Sequence, residues 1–70
     1  MTDSASKKIA QNIKKARLEK GLTQSALAEK AGINANSYAK IERGETKPSF
    51  ETISKILKAL GIKSSDVLDF

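Results

Sequence analysis

Seventy residues with 13 Lys and Arg against 8 Asp and Glu, a formal net charge of +5, describe one small basic domain that favours a polyanionic partner. There is no His and no Cys, so the usual general base, the thiol nucleophile and most transition-metal ligands are missing, and no Gly-rich phosphate loop appears. An enzyme is therefore not expected and no catalytic, metal or cofactor site is assigned; with no apolar run long enough for a signal peptide or a membrane span, the chain is read as cytoplasmic.

Residues 1–6, MTDSAS, are small and polar and are expected to form a disordered tail, with Ser4 or Ser6 available as a helix cap. Residues 7–70 are expected to form a single domain. The first helix is predicted over residues 7–20. Ile9, Ala10, Ile13, Ala16 and Arg17 share one face of it, and Gly21 ends it. Lys7, Lys8, Lys14 and Lys15 lie on its other faces, as a solvated surface or as a source of electrostatic attraction to a nucleic-acid backbone. Arg17 is a charge on the apolar side, so it either finds a carboxylate or snorkels to solvent.

Thr23 is suited to cap a second helix over residues 24–31, whose Leu27, Ala28 and Ala31 fall on one face. Ala28 is small enough to let crossing helices approach. Gly32 is the residue best able to adopt the left-handed conformation that closes it. Asn34 then caps a third helix over residues 35–43, with Tyr38 and Ile41 on its buried side and Gly44 after it. Helix, Gly turn and helix within about twenty residues is a helix-turn-helix pattern.

Ala35, Asn36, Ala39 and Lys40 point away from the buried side of that third helix. Any one of them is ordinary for a solvated helix face. Together they also suit the major groove, where Asn can hold adenine through two hydrogen bonds, Lys can reach guanine and Ala can touch a thymine methyl. A polar loop, Glu45-Thr46-Lys47-Pro48-Ser49, follows, in which Glu45 either trims nonspecific affinity for polyanions or pairs with Lys47.

A fourth helix is predicted from residue 49 or 50 to residue 60, its stripe of Ile53, Ile56, Leu57 and Leu60 ending at Gly61. Ser64 or Ser65 would cap a short fifth helix over residues 66–69. There Val67, Leu68 and Phe70 either close the core or pair with a second copy. No alternating run or Asn-Gly hairpin marks a strand. The expected fold is all-α, a compact bundle of five short helices with the helix-turn-helix at helices two and three.

Gly21-Leu22-Thr23-Gln24, Leu27-Ala28, Gly32-Ile33, Lys40-Ile41-Glu42-Arg43-Gly44, Pro48-Ser49 and Ala59-Leu60-Gly61 resemble the Cro/repressor-type (XRE-type) helix-turn-helix family of phage repressors, small bacterial regulators and restriction–modification controller proteins. The resemblance covers nearly all of the chain after its first six residues and implies a lambda-repressor-like fold. It also implies a structural ion pair between Arg17 and Glu42, and a DNA phosphate gripped by Thr23 and Gln24. Arg43 and Lys47 fall where members of the family contact the sugar-phosphate backbone.

Ala35, Asn36, Ala39 and Lys40 would then face base edges, while Thr23, Gln24, Asn34, Ser37, Arg43 and Lys47 would hold phosphates and set the register. The implied function is a sequence-specific double-stranded DNA-binding regulator of transcription. It would act as a homodimer, through the end carrying Val67, Leu68 and Phe70, on an operator of approximate two-fold symmetry. No small-molecule ligand domain is expected. The rival reading is an adaptor or antitoxin that keeps the fold and docks on a protein. One residue departs from the pattern: Tyr38 stands where the family usually has a branched aliphatic residue, and its hydroxyl needs water, backbone or a phosphate as partner.

Overall fold

A computed structural model describes residues 4–62, with side chains from Lys7 onward. Its four helices are α1 (Ser4–Glu19), α2 (Gln24–Ala31), α3 (Ala35–Glu42) and α4 (Phe50–Leu60), and no strand occurs among the described residues. Four helices rather than five are thus present there. The expected fifth helix, with Val67, Leu68 and Phe70, lies outside the described residues.

The helix ends follow local chemistry. Thr23 Oγ1 accepts the backbone N–H of Ala26 at 3.0 Å, Asn34 Oδ1 accepts those of Asn36 and Ser37 at 2.8 and 3.2 Å, and Ser49 Oγ accepts that of Thr52 at 3.1 Å. Each cap satisfies donors that the first helical turn leaves without partners.

At the other end of α2, Gly32 sits at φ +73°, which costs a residue without a Cβ nothing. The Gly32 N–H then donates to Glu29 O at 3.1 Å and the Ile33 N–H to Ala28 O at 2.9 Å, a Schellman closure that turns the chain into α3. Gly21, Gly44 and Gly61 close α1, α3 and α4 with the same pair of bonds.

The helix α1 starts at Ser4, three residues before the expected start, so residues 4–6 belong to it rather than to the tail. Ala5 is a strong helix former, and neither Gly nor Pro interrupts the run before Gly21. The third helix ends at Glu42, with Arg43 as its cap.

The core gathers one stripe from each helix. Ile13, Leu27, Ala28, Ala31, Tyr38, Ile41, Ile53, Ile56, Leu57 and Leu60 are buried together, with Leu22 and Ile33 from the turns packed against them. Ala28, at 1% exposure, lies where a larger side chain would hold the helices apart. Burying these stripes directs the opposite face of α3 outward. No helix among the described residues is long and apolar enough to cross a membrane.

Candidate nucleic-acid interface

The outward face of α3 carries Ala35, Asn36, Ser37 and Lys40, all exposed, while Ala39 is half-buried at its edge. Thr23 and Asn34 are exposed one residue before α2 and α3, at the N-termini of the two helices. Their side-chain oxygens are occupied as caps. The Thr23 hydroxyl proton and the Asn34 amide N–H groups remain suited to an acceptor. Such N-termini favour an anion through their N–H groups and the helix dipole.

Behind that face lies a closed polar cluster. The Arg17 guanidinium meets the Glu42 carboxylate with two parallel bonds, Nε to Oε2 at 2.8 Å and Nη2 to Oε1 at 2.9 Å. Its remaining nitrogen, Nη1, donates to the Leu22 carbonyl at 2.7 Å, which ties the α1–α2 turn to the same group. Gln24 Nε2 donates to Glu42 Oε1 at 3.0 Å and the Tyr38 hydroxyl to Oε2 at 2.5 Å. Glu42 therefore accepts four bonds from three side chains on α1, α2 and its own helix. No buried side-chain nitrogen or oxygen among the described residues lacks a partner.

The charges respond accordingly. The bond to Glu42 raises the Arg17 pKa against the opposing effect of burial. Burial pushes Glu42 up, but the bonds from Arg17, Tyr38 and Gln24 outweigh it, and its pKa falls below the usual carboxylate range. Burial, and then donation to the Glu42 carboxylate, push the Tyr38 phenol well above its ordinary value.

Tyr38 is fully buried, so its hydroxyl goes to none of the water, backbone or phosphate partners expected for it. Spacing held a clue: positions 38 and 42 are one helical turn apart on α3 and meet on the same side. Gln24, expected at a phosphate, turns its amide inward to Glu42 and is half-buried. Its inward contact depends on how α2 crosses α3, which no local pattern encodes.

The loop after α3 differs from expectation in one pairing. Glu45 joins Arg43 rather than Lys47, at 2.6 Å from Nε to Oε2, with both side chains exposed. The bond to Glu45 raises the Arg43 pKa, and the bond from Arg43 lowers that of Glu45. Lys47 lies with Asn34, Ser37 and Lys40 along a groove of about 550 Å³ between α3 and the start of α4. The structure thus brings Asn34, Ser37, Lys40 and Lys47 together. Thr23 and Gln24 lie at the start of α2, and Arg43 lines a different groove.

A family profile described as Helix-turn-helix matches residues 13–68. Among curated proteins, the chain is 42% identical over 60 residues to the immunity repressor protein of Bacillus phage phi105, covering 86% of this chain and 42% of that protein. It is 35% identical over 71 residues to the control protein C.BamHI of Bacillus amyloliquefaciens, covering 100% of this chain and 88% of that protein. Among solved structures, it matches the restriction–modification controller protein C.Esp1396I, seen as a tetramer in complex with its natural 35 base-pair operator. The TM-score is 0.89 at 30% identity, over 96% of this chain and 88% of that one.

Proposed function

This chain belongs to the helix-turn-helix family, and we propose that it is a sequence-specific double-stranded DNA-binding regulator of transcription. Ala35, Asn36, Ala39 and Lys40 read base edges in the major groove, and Thr23, Gln24, Asn34, Ser37, Arg43 and Lys47 hold phosphates around them. The single observation that carries this reading is the division of α3 into two faces. Its inner face is locked by Tyr38 and Glu42, and its outer face presents an exposed amide and an exposed ammonium, Asn36 and Lys40. A pre-fixed helix spends little binding energy on ordering itself, which suits base readout.

The relatives support the same reading. One is an immunity repressor and one a restriction–modification control protein, and C.Esp1396I is described as a tetramer on its operator. We propose a homodimer here too, paired through the region of Val67, Leu68 and Phe70. Two copies then place two α3 helices in successive major grooves about 34 Å apart on an operator of approximate two-fold symmetry. The protein acts in the cytoplasm, and occupancy follows its own concentration through the dimer equilibrium. Thr23 and Gln24 serve different ends in this scheme. The Thr23 cap opens toward a phosphate, and Gln24 both steadies Glu42 and offers its backbone N–H at the α2 N-terminus.

Selection of bound duplexes from a random pool tests the proposal. The expected product is an inverted repeat with half-site centres about one helical turn apart. A pool that stays random, with binding that disappears as salt rises, would leave only electrostatic attraction and would favour an adaptor docking on a protein.

A further inference from the structure

A second cationic groove lies between α1 and the end of α3, separate from the one that holds Lys40 and Lys47. It has a volume of about 290 Å³ and is lined by Lys7, Gln11 and Lys14 together with Glu42, Arg43 and Gly44. Lys7, Gln11 and Lys14 follow the i, i+4, i+7 spacing that forms one stripe of a helix. The Lys7 stem packs over the turn that closes α3, its Cγ 3.5 Å from the point a Cβ on Gly44 would occupy. The stripe and the turn therefore form one continuous surface.

Among the described residues the charge of this groove is unbalanced. Lys7 and Lys14 have no ion-pair partner among the described residues. The carboxylate that lines the groove, Glu42, is committed to Arg17, Tyr38 and Gln24. Arg43 is shared with Glu45, but that pair is exposed and open to competition. Two lysines, an arginine and a glutamine thus line one groove, with no free carboxylate among the described residues to meet them.

Position singles out one occupant. Arg43 directly follows α3, whose eight residues span about 12 Å at 1.5 Å per residue. A recognition helix meets base edges with its N-terminal residues, so its C-terminal end lies toward the backbone that borders the groove. We infer that the groove formed by Lys7, Gln11, Lys14 and Arg43 is a second phosphate seat, which holds the DNA backbone outside the bases read by α3. The inference rests on the DNA-binding reading above and makes α1 part of the footprint.

The other lysines of α1 provide the control. Lys8 and Lys15 are exposed on the same helix but do not line the groove. The double variants Lys7→Gln/Lys14→Gln and Lys8→Gln/Lys15→Gln remove the same charge from the same helix. Their affinities are measured against salt on a duplex enriched from a random pool by the unaltered chain. Losing two seated phosphates lowers the slope of log affinity against log salt by about two units for the first variant. The second variant leaves the slope within about half a unit of the parent, since diffuse attraction alone is screened over about a Debye length.

Gln11→Lys, which adds a cation to the groove, steepens the slope by about one unit and gives a gain of binding that a folding defect cannot mimic. Equal slopes for the two double variants would reduce α1 to general electrostatic attraction and overturn the seat. So would an unchanged slope for Gln11→Lys. An unaltered chain that enriches no duplex would remove the DNA-binding reading itself, and the seat with it.

Discussion

Arg17 and Glu42 meet where their side chains are 9% and 2% exposed, whereas Arg43 and Glu45, the same two residue types, meet at 53% and 54% exposure. Both pairs have short contacts, at 2.8 and 2.6 Å from Nε to Oε2. What separates them is the surroundings. The buried carboxylate is saturated by Arg17, Tyr38 and Gln24, and each donor belongs to an element that the fold has to hold in place. The exposed pair competes with water and salt at every moment. Identical chemistry therefore acts as a structural clamp in one place and as an adjustable surface contact in the other.

The largest expected effect comes from breaking the clamp. Arg17→Ala leaves a buried carboxylate without its cation, at about 3–5 kcal/mol. A core of this size supplies about that much in total, so the variant should be largely unfolded in a thermal melt followed by circular dichroism. Arg17→Lys keeps the charge but loses the two-bond fork, and its melting temperature should fall between those of the variant and the parent. A parent-like melt for Arg17→Ala would contradict the clamp.

Tyr38→Phe removes one donor to Glu42 and keeps the ring, so it isolates a single bond to a charged group. The expected loss is about 1.5–3 kcal/mol in urea denaturation. No loss would mean that Arg17 and Gln24 satisfy Glu42 by themselves.

The pH dependence follows from the directions of the shifts. Glu42 has a folded pKa below its ordinary value of 4.5, so its contribution is present above that value and is lost as pH falls through the lower, folded one. Tyr38 has a folded pKa above its ordinary value of 10.0, so its contribution is intact below that value and is lost as pH rises through the higher, folded one. Stability measured across pH should therefore decline at both ends. Tyr38→Phe should flatten the alkaline decline and leave the acid one, and a curve that keeps its alkaline limb in that variant would assign the limb to another group.

The exposed pair gives the smallest effect on stability. Glu45→Gln should leave the melting temperature unchanged. It should nevertheless tighten binding to all duplex sequences alike, because Arg43 then no longer has to leave the Glu45 carboxylate. Weaker binding of Glu45→Gln in a fluorescence titration would instead show that Glu45 orients Arg43.

Most of the fold was legible because it is written in local signals. Thr23, Asn34 and Ser49 cap the helices that follow them, four glycines end the four described helices, and the apolar stripes of α2 and α4 are buried at every expected position. The early start of α1 was missed because small polar residues read as a tail when no apolar stripe runs through them.

The candidate site was legible in part. Outward Ala35, Asn36 and Lys40 follow from helical period once Tyr38 and Ile41 are placed inside, whereas the half-burial of Ala39 at the edge needs the neighbouring helix. Arg17 meeting Glu42 was implied by resemblance, since a separation of 25 residues leaves no periodic trace. The inward turn of Gln24 and the α1 groove depend on helix crossings, and only the folded chain provides those.

Asn36 offers the most direct test of base reading by α3. Duplex pools selected by the unaltered chain and by Asn36→Ala are to be sequenced side by side at one salt concentration, with affinities measured on the enriched sites. Specific readout predicts a loss of about 1–3 kcal/mol on the parent's site and relaxed preference at one position of each half-site, the other positions being retained. Weakening by the same factor on every sequence, with the preferred site unchanged, would make Asn36 a phosphate contact and contradict base reading through this face.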